Sequence, residues 1–434
     1  MIIDALSLMQ WTNKCKQVAA MRIIVVATCL FFSCSDDSEE PEPEPDSTMA
    51  ESRTLMMYIV AENSLAGQLN GDISELLQGM KAASLYKNDK MVVYVDDTQL
   101  PRIYVIDRHT KATTLSELEP SVSYTEDVNS CSAEQLGAFI DYAKQHVPAD
   151  SYGLVMWSHA SGWVPSDYAG DQVDVATKIA RRRTFGLDNG KNSSKSFNGS
   201  QMEVADMARV LEEKGGVDFI FFDACFMQAI EVAYELRRSA RHIFGSPAEI
   251  PGPGADYQTM VPSMFKKDYV ESMLTAYYNA YENNPTYGLI FSAIETDVLP
   301  TFADYMRTVV ANDGEKLTWV DRNKAITYFD YVAWGLKTNN PDYPDILDMQ
   351  SVMKQILTDD AFEDWKQEVE GLVMCKHLSY WYSTYTSRNI PFDSSLCCGV
   401  SMYIPDYGNR RGYERYNEPF FQTEWAKAVW LHEE

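Results

Sequence analysis

The chain has 434 residues, 45% of them apolar, which is enough for one large domain with an appended region or for two domains with a sizeable core. Its formal charge of −26 argues against a non-specific nucleic-acid binder, which needs a basic face for phosphates. The eight cysteines show no CxxC or other metal-type spacing, so no metal and no other cofactor is expected.

Residues 1–20 fit no export signal. In "MRIIVVATCLFFSC" (21–34), Arg22 gives a positive start, and Ile23 to Phe32 is an apolar run too short to span a bilayer. That combination fits a secretory signal, with Met21 as the start of translation. Apolar residues and Ser33 directly before Cys34 resemble a bacterial lipoprotein signal, in which that cysteine carries the lipid. A buried element near the N-terminus is the other reading of the same run. Residues 35–51, "SDDSEEPEPEPDSTMAE", hold eight acids and no base. Their Pro-Glu alternation cannot bury a core, so the segment reads as a disordered tether. It resembles the surface-export tether of Bacteroides-type lipoproteins.

Structured sequence is expected from "RTLMMYIVAEN" (53–63), a strand-like run, followed by a helix at "ISELLQGMKAAS" (73–84). "KMVVYVDD" (90–97) reads as a second buried strand and "RIYVID" (102–107) as a third, forming an edge hairpin. "SAEQLGAFIDYAKQHV" (132–147) begins with a Ser132–Gln135 capping pattern and continues at helical spacing. "YGLVMWSH" (152–159) is a continuous apolar strand. "SQMEVADMARVLEEKGG" (200–216) suggests a Ser200–Glu203 capping box and a helix stopped at Gly215. "VDFIFFDAC" (217–225) is the next buried strand, "FMQAIEVAYELRR" (226–238) the next helix, and "CCGVSMYIP" (397–405) a late return strand in a region otherwise mostly helical from about residue 300. Apolar strands alternating with helices predict an α/β fold with a parallel sheet covered on both faces.

In such sheets ligands bind beyond the carboxyl ends of the strands. His159 and Cys225 both stand at such ends, on strands joined by one crossover and therefore expected to be neighbours. Taken singly, Cys225 fits a packed thiol and His159 a satisfied polar cap. As a pair at equivalent strand ends they suggest a nucleophile and its base. A helix beginning at Cys225 would favour the thiolate through its dipole. The other histidines (109, 146, 242, 377 and 432) lie in polar or terminal contexts. Backbone N–H groups of Gly162 and Cys225 could form an oxyanion hole. Strand alternation puts Asp223 on the side of Cys225. No phosphate loop, HExxH or G-x-S-x-G motif occurs.

"SHASGW" with His159, "DFIFFDACFM" with Cys225, "EIPGPGADY" (249–257) and "GVSMYIP" (399–405) together resemble the clostripain family of cysteine peptidases, over roughly residues 53–405. The resemblance implies the caspase-like (caspase–haemoglobinase) α/β fold, with a peptidase domain at 53–300 and a mainly helical region at 301–434 completing it, after a leader at 1–34 and a tether at 35–52. It implies His159 as general base and acid, Cys225 as nucleophile, no third catalytic member, and Asp223 as the acid that selects Arg, or Lys, at P1. A strand-end Asp capping the next helix is the alternative for Asp223. The resemblance further implies self-cleavage in the basic loop, at Lys178, Arg181, Arg182 or Arg183, with the arginine run first; a solvated basic loop is the bland reading. Two residues depart from the family pattern: Ala160 replaces a glycine, and Ala255 replaces a tryptophan expected at the pocket rim. The expected protein is an exported endopeptidase acting on proteins or peptides, lipid-anchored through Cys34 to the outer membrane, at the cell surface or in the periplasm, monomeric and without nucleic acid. The alternative is a catalytically degenerate surface lipoprotein that binds peptide or glycan.

Overall fold

The computed structural model describes residues 52–86, 88–163, 184–190, 199–329, 345–384, 386–405 and 416–431. In chain order the first half contains β1 (Arg53–Val60), α1 (Leu69–Ala82), β2 (Lys90–Asp96), β3 (Arg102–Ile106), β4 (Val122–Ser123), α2 (Ala133–His146), β5 (Ser151–Trp157), β6 (Phe185–Asp188), β7 (Ser200–Met202), α3 (Val204–Glu213) and β8 (Val217–Asp223). The second half contains α4 (Ile230–Glu235), β9 (Ala240–Gly245), α5 (Tyr257–Met264), α6 (Tyr269–Glu282), β10 (Ile290–Glu295), α7 (Leu299–Leu317), β11 (Leu347–Asp348), α8 (Met349–Ile356), α9 (Asp359–Glu370), β12 (Val373–His377), β13 (Tyr380–Ser383), β14 (Arg388–Pro391), β15 (Ser401–Met402), α10 (Asn417–Gln422) and α11 (Glu424–Val429).

Nine strands form one sheet in the order β12-β10-β9-β8-β5-β1-β2-β3-β4. The middle is parallel: β2, β1, β5, β8 and β9 run the same way. The edges are antiparallel, through β3 and β4 on one side and β10 and β12 on the other. The middle strands are apolar throughout because both faces are covered. In β1, Leu55, Met57 and Ile59 pack into the layer of α1, α5 and α6. Met56, Tyr58 and Val60 alternate into the opposite layer, with α2, α3, α4 and the C-terminal helices. Among the described residues no helix is long and apolar enough to cross a membrane.

Local expectations hold where a capping or alternation signal acts alone. Ser132 caps α2 by accepting from Gln135 N–H at 3.1 Å. Gly215, at φ +80°, ends the run after α3. Elsewhere tertiary pairing overrides them. Residues 200–202 pair with β6 as β7, so Ser200 caps nothing; α3 opens at Val204 behind Glu203, which makes no side-chain cap bond. The helix expected from 226 begins only at Ile230. The return strand expected at 397–405 shrinks to Ser401–Met402, paired with β11 outside the main sheet, and β12 takes the sheet's edge instead. His242 lies within β9, buried, bonded through Nδ1 to the Tyr269 hydroxyl at 2.7 Å.

Candidate active site

Trp157 is the residue aligned with Asp223 across the parallel β5–β8 pair. His159 and Cys225 each follow two residues later, so they leave adjacent strands at the same level. Neighbouring strands lie about 4.8 Å apart, which keeps the two segments close as they turn out of the sheet. The carboxyl edge thus places His159 and Cys225 at corresponding positions just past Trp157 and Asp223.

The His159 segment is tied to its surroundings by backbone. Gly186 N–H donates to the His159 carbonyl at 2.8 Å, Ala160 bridges to Phe185, and Ser161 N–H donates to Thr184 O at 3.2 Å. Ala160, which departs from the family glycine, therefore serves as a strand-like residue. Ser158 Oγ donates to Val60 O at 2.8 Å, anchoring the segment to β1. The ring bonds through Nε2 to Ser64 Oγ at 2.8 Å. Protein crowds the ring, and this burial lowers the His159 pKa to about 4.

The Cys225 loop is strained and pinned. Phe226 adopts φ +62°, a region a non-glycine residue enters only where packing compels it. Its N–H donates to Ala248 O at 3.0 Å, Gln228 N–H donates to Ser246 O at 3.1 Å, and Ser401 N–H donates to Gln228 O at 3.0 Å. α4 starts five residues after Cys225. Its dipole acts within its own first turn, so it does not reach the thiol as expected. Instead Ile250 N–H donates to Cys225 Sγ at 3.3 Å. Burial first, then the negative charge of Glu249 and, more weakly, Asp223, push the Cys225 thiol up to about 12. Among the described residues no hydrogen bond joins His159 and Cys225, and both groups rest neutral at pH 7.

Gly162, at φ +94°, lies against this loop; a Cβ there would sit 3.2 Å from the Phe226 carbonyl oxygen. Glycine thus meets both the backbone angle and the close approach.

Asp223 is 6% exposed on the face covered by α1, α5 and α6. Its Oδ2 accepts from the Tyr257 hydroxyl at 2.7 Å and from Ala255 N–H at 3.2 Å, while Oδ1 carries no hydrogen bond among the described residues. Burial pushes its carboxyl up to about 6. It caps no helix. Ala255, read as a gap in the pocket rim, is fully buried and contributes its amide instead of a wall.

Four residues of this site escaped the sequence reading. Asp72, on α1, accepts from Trp157 Nε1 at 2.8 Å and is pushed up to about 8 by burial and then by the charge of Asp223. Glu75, one turn on, accepts Tyr257 N–H at 3.2 Å. Glu249 accepts from the amide and hydroxyl of Thr384. Ser64 stands at the carboxyl end of β1, where the strand-end rule could have found it. The three acids lie in helical or loop sequence whose neighbours only tertiary contacts reveal. Apart from these, Glu62, Asp96 and Asp127 bring one carboxylate oxygen each within 4.8 Å of one another, a donor set suited to a hard divalent cation. Burial, followed by the charge of Asp188, pushes Asp96 up to about 9.

Lys178, Arg181, Arg182, Arg183 and Cys34 lie outside the described residues.

A sequence profile of the clostripain family, peptidase family C11, matches residues 57–433. The chain belongs to the clostripain family. It is similar to clostripain of Hathewaya histolytica, with 30% identity over 227 residues, covering 47% of this chain and 40% of that protein. The match therefore spans less than half of that relative. Among solved structures, an inactive zymogen C11 protease from Parabacteroides distasonis superposes with a TM-score of 0.70 at 27% identity, covering 88% of this chain and 99% of that one. A secreted C11 cysteine protease from Bacteroides thetaiotaomicron, determined with an irreversible peptide inhibitor, superposes with a TM-score of 0.69 at 27% identity, covering 87% and 98%. This clostripain-family chain accordingly has the caspase-like fold: a mostly parallel sheet with helices on both faces and a helical C-terminal region.

Proposed function

We propose that this clostripain-family member is a cysteine endopeptidase in which Cys225 is the nucleophile and His159 the base. The observation that carries this reading is the β5–β8 register, in which His159 and Cys225 each follow two residues after the aligned pair Trp157 and Asp223. The neutral thiol gives its proton to the imidazole as sulfur attacks the scissile carbonyl. The tetrahedral oxyanion is received by the N–H groups of Gly162 and Cys225. Its collapse expels the amine, protonated by His159, and leaves an acyl-enzyme that water hydrolyses.

Asp223 reads P1. The unbonded Oδ1 can accept a guanidinium or ammonium, and a cation bound there would draw the neighbouring carboxyls of Asp72 and Glu75 toward their charged forms. Arg is favoured over Lys because a planar fork matches a carboxylate. The protein is exported, as the name of its Bacteroides relative says of that protein, and anchored through a lipid on Cys34. Cleavage within 178–183, led by the arginine run, matures it; one of its structural relatives is an inactive zymogen.

Purified protein and a Cys225→Ala variant, assayed on Arg- and Lys-terminated fluorogenic peptides, test this. Activity in the parent and its loss in the variant are expected. Equal signals from both would mark the chain as a peptide- or glycan-binding scaffold without catalysis. Labelling with palmitate, lost in Cys34→Ala, tests the anchor, and the N-terminal sequence of the fragment released on incubation tests the cleavage position.

A further inference from the structure

We infer that Ser64 is a positioning residue for His159, holding Nε2 so that Nδ1 is the nitrogen that serves Cys225. This rests on the dyad reading above and adds a third member to it.

The decisive contact is the 2.8 Å bond between Ser64 Oγ and His159 Nε2. An imidazole has two nitrogens, and the one engaged by a partner is not available to the thiol. Ser64 is placed for this task by a rigid turn. Asn63, 4% exposed, accepts from Leu65 N–H at 2.9 Å, and its amide nitrogen donates to Val60 O at 2.9 Å and to Leu187 O at 2.8 Å. The same Val60 carbonyl accepts from Ser158 Oγ. Ser64 and His159 thus follow residues anchored on one carbonyl of β1, which fixes their separation by backbone geometry. Asn63, not Ser64, caps the short helical turn at Ser64–Gly67, so the Ser64 hydroxyl is not needed to build the turn.

The chemistry follows from the hydroxyl's ability to accept. In the resting neutral imidazole the proton sits on Nε2 and is donated to Ser64 Oγ, leaving Nδ1 with its lone pair. As sulfur attacks the carbonyl carbon, the S–H bond breaks and the proton passes to Nδ1. The imidazolium keeps its Nε2–H bond to Ser64, a bond stronger for the cation than for the neutral ring. The Nδ1 proton then moves to the departing amine, and the starting tautomer returns. Without Ser64 the neutral ring divides between two tautomers, one of which cannot accept the thiol proton at Nδ1.

The test uses the full chain with three variants at position 64. Ser64→Ala is expected to lower kcat about threefold to tenfold with KM nearly unchanged, the scale of one hydrogen bond. Ser64→Thr, which keeps the hydroxyl, should restore it. Ser64→Asp should raise the His159 titration, and Ser64→Ala should lower it, each read from 15N-histidine spectra that also report the tautomer. Nε2–H should dominate in the parent and mix with Nδ1–H in Ser64→Ala. An unchanged tautomer and titration across the series would overturn the inference, as would higher activity in Ser64→Ala, which would make Ser64 a latch. Activity persisting in Cys225→Ala would overturn the dyad reading itself, while the spectra would still decide the Ser64 contact.

Discussion

His159 and Cys225 occupy equivalent strand ends, yet they are held in opposite ways. The histidine side is built from sheet neighbours. Val60, Ser158 and Ser64 lie on or just past β1 and β5, and the ring's partner is a neutral hydroxyl. The cysteine side is braced by distant chain. Ser246, Ala248 and Ser401 pin its backbone, while Glu249, itself bonded to Thr384, adds negative charge. The histidine side is held by β1, β5 and the adjoining 184–187 segment, whereas the surroundings of Cys225 also require the last third of the chain to dock. Acidic charge on the cysteine side also opposes thiolate formation. The resting pair is therefore a thiol and a neutral imidazole.

The largest expected effect comes from removing either half. Cys225→Ala and His159→Ala should each lower kcat by about 10⁴ or more, with the folded chain unchanged by circular dichroism. Comparable residual activity in either variant would separate that half from the chemistry. Next comes the acid beneath the thiol. Asp223→Asn should lower kcat/KM for Arg peptides by about a hundredfold, the scale of losing one partner of a buried charge pair, while leaving slow cleavage of uncharged peptides unaffected. A uniform loss across substrates would assign Asp223 to structure instead of P1.

Glu249→Gln sharpens the contrast between the two sides. It keeps an acceptor for Thr384 but removes the charge facing Cys225, so the thiol pKa should fall. Alkylation by iodoacetamide at pH 8 should then run several-fold faster at Cys225, with the His159 titration unmoved. Global stability carries a pH dependence of its own. Burial raises the carboxyls of Asp72 to about 8, Asp96 to about 9 and Glu231 to about 8. Above pH 6.5 the unfolded chain has already released these protons, and the folded chain still holds them. Stability should therefore fall from pH 6.5 to 8, by about 1.4 kcal/mol per pH unit for each proton so retained. The His159 shift acts in the opposite direction, but only below pH 6.5. Urea midpoints across this window measure the slope, and a rising midpoint would contradict it.

Much of this architecture was written locally. Continuous apolar runs at 53–60, 90–96, 151–157 and 217–223 specify buried parallel strands, because an uninterrupted apolar strand is stable only when both sheet faces are covered. Alternation set Asp223 on the side of Cys225, and a strand-end rule singled out His159 and Cys225. The sequence could not show that residues 226–229 stay outside the helix, because their hydrogen bonds go to Ser246, Ala248 and Ser401. Nor could it show that Ala255 points inward and donates its amide to Asp223, or that Glu249 faces the thiol. Periodicity fixes which side of an element is apolar. Which polar atoms meet across elements depends on contacts between residues far apart in the chain, and only the tertiary structure decided that Ser64 would lie against His159.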